Sequence, residues 1–138
     1  MIILDTNVLS ALMRQAPDGQ VIAWLDRLPP ASIWTTSLTV FEIRFGLQIL
    51  ATGKRKRLLM QAFETVLEKM GHRIASFDTS AADFAADLMA LRQRRGRPGD
   101  LRDTMIAGIV LARQATLATR NTSHFEDLSV PVVNPWTE

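Results

Sequence analysis

Short apolar runs alternate with longer segments of helical periodicity along this chain, and that alternation leaves few folds open to it. Met1–Leu4, Ser32–Thr36, Arg73–Phe77, Thr116–Thr119 and Val130–Val133 each read as a strand. The first helical pattern runs from about Asn7 to Arg14. After the turn chemistry of Pro17-Asp18-Gly19, Val21, Trp24, Leu25 and Leu28 repeat at helical spacing until Pro29-Pro30 stops them. Ser37, as a cap, opens a helix to about Leu50, and Gly53 separates it from another over Lys54 to Met70. Ser80 starts a helix to about Arg94 with Ala81, Phe84, Ala85, Leu88 and Leu91 as its inward stripe, and a last one spans about Leu101 to Gln114. Strands that alternate with helices pair in parallel, because only a crossover brings the chain back in the same direction. The expected fold is α/β: a single domain over residues 1–138, with a parallel β-sheet flanked by helices on both faces. Ligands of such sheets bind beyond the carboxyl ends of the strands, where Asp5 and Arg120-Asn121 fall.

Composition then removes chemistries. The chain has no Cys, which excludes disulfides, thiolate catalysis and Cys-based zinc or iron–sulfur sites. Its two His, at 72 and 124, are too few for a His-rich zinc centre. Asp5 interrupts the amino-terminal apolar run, no basic lead precedes it, and no later run is long enough to span a bilayer. A cytoplasmic protein with no membrane association is expected. The net charge is only +2, yet Lys54–Arg57 form one basic cluster and Arg92, Arg94, Arg95, Arg97 and Arg102 a second. Both are solvated helix faces or footholds for a polyanion.

Asp5, Glu42 and Asp103 stand among apolar neighbours, where a carboxylate loses hydration and needs compensation. Asp5 can serve as an N-cap, although Thr6 and Asn7 could also cap, so the role does not require it. Glu42 has Leu38, Thr39, Phe45 and Gly46 as helical neighbours and no cation among them, and an apolar stripe around it predicts burial. Asp103 either takes part in capping with Asp100 or is freed by an Asp100 cap to bind a ligand. Asn121 defaults to a loop role, with a side-chain oxygen that could reach a metal. His124 and Glu126 read as surface residues. Oxygen donors without sulfur suit Mg²⁺ or Mn²⁺, and such an ion promotes attack of water on phosphorus. With the basic clusters, this predicts a phosphodiesterase acting on single-stranded nucleic acid. An aspartyl phosphatase is disfavoured, because its usual second Asp two residues on is Asn7 here.

Ile3-Leu4-Asp5-Thr6-Asn7, Thr39-Val40-Phe41-Glu42-Ile43-Arg44-Phe45-Gly46, Asp103-Thr104-Met105-Ile106-Ala107, Ala118-Thr119-Arg120-Asn121 and Asn134-Pro135-Trp136 together resemble the PIN-domain family. They are most similar to its VapC-type toxins, including the FitB-like subgroup, in order and spacing along nearly the whole chain. The resemblance implies an Mg²⁺- or Mn²⁺-dependent ribonuclease, commonly a homodimer, neutralised by a small VapB-like antitoxin that docks an amphipathic helix. It also implies Asp5, Glu42 and Asp103 as catalytic metal ligands, with Thr6 and Asn7 as helpers around them; Asn121 is counted with the catalytic set, and Asp100 stands beside the site as a further source of charge. Asn121 stands where many members carry a fourth acid, which weakens the case for a second ion. The other reading is a catalytically weak PIN-fold module that binds RNA or protein.

Overall fold

A computed structural model describes residues 1–138. Five parallel strands form one sheet in the order β3-β2-β1-β4-β5, and six helices cover its two faces. The strands are β1 (Ile2–Leu4), β2 (Ile33–Thr36), β3 (Ile74–Ala75), β4 (Thr116–Ala118) and β5 (Val132–Val133). The helices are α1 (Thr6–Leu12), α2 (Gly19–Asp26), α3 (Ser37–Gln48), α4 (Lys54–Lys69), α5 (Thr79–Arg94) and α6 (Leu101–Ala112). The chain moves outward from β1 through β2 to β3, then crosses back to β4 on the other side of β1. That reversal opens a crevice at the carboxyl end of β1, where open α/β sheets hold their ligands.

Successive residues of β1 point to opposite faces, so Leu4 joins one core and Ile3 the other. The first core packs α1, α2, α3 and α4 around Val8, Trp24, Ile43 and Phe63. The second packs α5 and α6 around Leu88, Ile106, Val110 and Phe125. Complete burial of side chains such as Ile3 and Leu4 contributes roughly 1.5–3 kcal/mol each. Gly108 allows the unusually close approach of α6 to α5. A Cβ added there would come 2.5 Å from the Ala81 carbonyl oxygen and 2.7 Å from the Ala85 Cβ.

Several local expectations shift. Thr36, not Ser37, caps α3, its hydroxyl accepting from the Thr39 amide at 3.0 Å; Ser37 is the first helical residue, and its own hydroxyl accepts from Phe77. Asp78 caps α5, so that helix starts at Thr79 rather than Ser80. Phe84 is exposed rather than part of the inward stripe, because α5 buries Ala81, Ala85, Leu88 and Arg92 instead. No helix is long and apolar enough to cross a membrane.

Candidate functional site

Sheet register builds the first part of the site. Leu4 pairs with Ala118, so the residues that follow, Asp5 and Thr119, leave the sheet side by side. Thr119 donates to Asp5 Oδ2 at 2.8 Å, the Thr6 amide donates to Oδ1 at 2.8 Å, and the Asn7 side chain reaches Oδ2 at 3.5 Å. Asp5 is therefore a cap for α1 as well as a candidate ligand. Asn7 ties the loop after β4 to the same point: its amide donates to Thr119 Oγ1 at 3.3 Å, and its carbonyl oxygen accepts from the Arg120 backbone at 3.1 Å. The Arg120 guanidinium lies 4.7 Å over the Trp136 ring, so Trp136 packs beside this loop as well as against the first core.

Asp5 is only 4% exposed. Burial pushes its carboxyl above the ordinary range, the bonds from Thr119 and Thr6 pull it back, and the Asp103 charge pushes it up again. Glu42 feels the same field. Burial raises it first, Arg102 and the Thr6 hydroxyl oppose the shift, and Asp5 and Asp103 add to it. The three carboxylates, far apart in sequence, thus act on one another across one small region.

The expected burial of Glu42 is partial, its side chain being 20% exposed, and although no cation lies among its own helical neighbours, Arg102 Nη1 reaches it from α6 at 3.7 Å. Helix α3 turns Thr39, Ile43 and Leu47 inward, so Phe41 and Phe45 beside Glu42 lie on its outer surface. The Thr6 hydroxyl, itself 3.1 Å from that of Thr39, donates to Glu42 Oε1 at 3.3 Å and links Glu42 to Asp5.

Asp103 occupies the first turn of α6, and Asp100 supplies the cap, its side chain accepting from the Asp103 amide at 3.1 Å. That leaves the Asp103 carboxylate free, and its Oδ2 lies 3.0 Å from His124 Nδ1. His124 is a surface residue, as the sequence indicates, but its contact with Asp103, 21 residues away in the chain, has no local sequence signal. Asp103, Asp100 and His124 border a cleft of about 470 Å³ that no hydrophobic side chain lines, with Arg95, Arg97 and Ser123 around it.

Arg92 is the clearest departure from the surface reading of the second basic cluster. It is 5% exposed and carries a two-pronged ion pair with Asp127, Nε and Nη2 each 2.8 Å from a carboxylate oxygen. That bonding raises Arg92 and holds Asp127 below the ordinary carboxylate range. Asn121 is exposed, and only its backbone bonds here, its amide donating to Thr119 Oγ1 at 3.0 Å.

Three carboxylates, no sulfur and one neighbouring imidazole form a donor set that suits a hard divalent cation. The carboxylates meet as interacting charges rather than as a closed cage: no three acidic or imidazole groups lie close enough to share one ion. Asp5 is fixed by its bonds, whereas Glu42 and Asp103 are half-buried side chains on helix surfaces.

Known proteins agree with this architecture. The PIN domain model matches residues 2–130. A VapC ribonuclease of Sinorhizobium fredii is 38% identical over 137 residues, covering 99% of this chain and 98% of that protein. Toxin FitB of Neisseria gonorrhoeae is 36% identical over 137 residues, covering 99% of each. The crystal structure of FitAcB from Neisseria gonorrhoeae superposes with a TM-score of 0.90 at 35% identity, covering 100% of both chains. With the sheet order, the reversal at β1 and the acidic residues beside it, these likenesses place the chain in the PIN-domain family, beside its VapC and FitB members.

Proposed function

We propose that this chain is a metal-dependent endoribonuclease, the toxin of a toxin–antitoxin pair, and that it cleaves single-stranded RNA with Mg²⁺ or Mn²⁺ as cofactor. The carrying observation is Asp5: a carboxylate 4% exposed and bonded at both oxygens, which feels the charge of Asp103 and itself acts on Glu42. Folding alone gains little from such crowding, because buried like charges are costly until a cation joins them. PIN-domain nucleases generally use a divalent metal. Asp5 would be its fixed oxygen donor, and Glu42 and Asp103 its two adjustable ones. When bound, the ion supplies Lewis-acid polarisation of the phosphate and a more acidic attacking water.

The rest of the work falls to the chain. Thr119, Thr6 and Asn7 hold Asp5 in place, and Thr6 orients Glu42. Asn121 brings no charge, which favours one ion over two. The exposed residues Arg95 and Arg97 line the cleft beside Asp103 and would hold RNA phosphates by charge neutralisation.

The restraining partner is a VapB-like antitoxin. A groove of about 500 Å³ lined by Leu12, Ile22, Leu25, Leu28, Val66 and Met70 suits the apolar face of an amphipathic helix. The exposed, stacked Phe41 and Phe45 suit packing against a second copy in a homodimer.

Purified protein given Mn²⁺ and a mixed RNA pool should cleave it, and either a chelator or Asp5→Asn should stop the cleavage. Equal behaviour of wild type and Asp5→Asn would sink the proposal. The spacing of the carboxylates and the neutral Asn121 favour a second reading, a PIN-fold module that binds RNA or protein without cutting. That reading expects RNA to be retained intact in the presence of Mn²⁺.

A further inference from the structure

Resting on the nuclease reading above, we infer that Arg92 is a positioning residue for the Asp103 end of the site: one buried guanidinium holds the Thr104 side chain and the His124 backbone together, so that Asp103 and His124 meet. Nη1 donates to Thr104 Oγ1 at 3.0 Å, and Nη2 donates to the His124 carbonyl at 3.1 Å. Thr104 follows Asp103 in the first turn of α6, so fixing its side chain fixes the rotation of that turn about the helix axis. The Thr104 hydroxyl in turn donates to the Asp100 carbonyl at 2.8 Å, tying in the cap. His124 lies in the short 3-10 turn Thr122–Phe125, which belongs to another segment altogether. Apart from this bridge, the two segments meet through polar groups only in the His124–Asp103 contact itself, at 3.0 Å.

The surroundings are shaped for this guanidinium. The Arg97 amide donates to the Arg92 carbonyl at 2.8 Å, folding the loop between α5 and α6 over it. Gly99 adopts φ +69°, and a Cβ there would press to 3.3 Å from Nη1. Asp127 accepts from Nε and from Nη2, which also serves the His124 carbonyl, and so neutralises the charge and fixes the plane of the fork. A planar fork can reach three separate acceptors in set directions, and a lysine ammonium cannot reproduce that geometry. A buried ion pair is poor evidence of stabilisation, since apolar replacements are often as stable, so the stronger argument for Arg92 is what its bonds aim.

The test separates aiming from mere support. Arg92→Lys keeps the charge and loses the fork. Asp127→Asn keeps the arginine and loosens its plane. Leu88→Ala, one turn earlier on the same buried face of α5, serves as the stability control. Mn²⁺ affinity is read from the paramagnetic resonance of the free ion, and the metal-free His124 ring from its nitrogen spectrum, assigned with His72→Gln. Arg92→Lys should weaken Mn²⁺ binding about 10-fold and displace the His124 signals. Asp127→Asn should move both in the same direction by less. Leu88→Ala, at an equal or larger loss of Tm, should leave both near wild type. Wild-type affinity and wild-type His124 signals in Arg92→Lys and Asp127→Asn would overturn the inference, as would equal changes in Leu88→Ala. If the wild type binds no Mn²⁺, the metal reading of the site fails, and the His124 spectrum alone still decides whether Arg92 aims the pair.

Discussion

Asp5 and Asp103 face the same region but are held by different means. Asp5 is 4% exposed, emerges from the sheet, and accepts hydrogen bonds at both oxygens from Thr119, Thr6 and Asn7. The Asp103 side chain is 25% exposed, rides on a helix, and touches only a solvent-facing imidazole. The sheet edge is rigid because paired strands fix it, and it carries the desolvation cost. The helix edge stays hydrated and able to adjust. A site divided in this way can hold one oxygen donor firmly and let the others move onto an incoming cation.

The largest expected effect tests the rigid edge. Asp5→Asn should lower RNA cleavage on the order of 10³-fold, measured as initial rate with Mn²⁺. The same change should raise Tm by about 2–4 °C at neutral pH, because it removes a buried charge. The pH dependence follows from the raised carboxyl. Folded Asp5 keeps its proton where the unfolded chain has already lost it. That contribution to stability is complete below the unfolded value, near pH 4 for an ordinary aspartate (about 3.9), and is lost as pH rises through the folded value. The Tm difference between Asp5→Asn and wild type should therefore be small at low pH and open as pH rises. A difference that shrinks with rising pH would show that Asp5 is not held as described.

A matched pair of substitutions measures the two edges directly. Thr119→Val removes the 2.8 Å donor from buried Asp5 and should cost about 1–3 kcal/mol in chemical denaturation. His124→Gln removes the exposed partner of Asp103 and should change stability by less than about 0.5 kcal/mol. Equal costs would break the contrast between the edges.

How far the chain could be read in advance follows the same division. The alternation of strands and helices led to the parallel sheet, and the position of Asp5 after the first apolar run led to its place at the sheet edge. The Thr119–Asp5 bond needed the register of β1 against β4, which pairing sets and local pattern does not. The helix edge was harder. Around Glu42 the apolar residues looked continuous, but spacing by four selects Thr39, Ile43 and Leu47 as the buried face and leaves Phe41 and Phe45 outside. Arg92 reads as one of a run of charged neighbours, yet it lies four residues beyond Leu88 on the buried stripe. Its partner Asp127 is remote in sequence, and no local signal names it. The contacts of His124 with Asp103 and of Arg102 with Glu42 likewise depend on how separate segments dock.

Arg102 supplies the smallest effect and the finest test of the helix edge. Its guanidinium lies 3.7 Å from Glu42 and is largely exposed, so the pair adds little to folding. Electrostatically it stands where a cation would be welcome, and it opposes the raised carboxyl of Glu42. Arg102→Ala removes that competitor, so Mn²⁺ affinity should increase about two- to threefold at low salt, and the gain should fade at high salt as screening grows. Tm should hardly move. A loss of affinity would mean that Arg102 holds Glu42 in its binding posture, which would make the helix edge as preset as the sheet edge and remove the distinction between them.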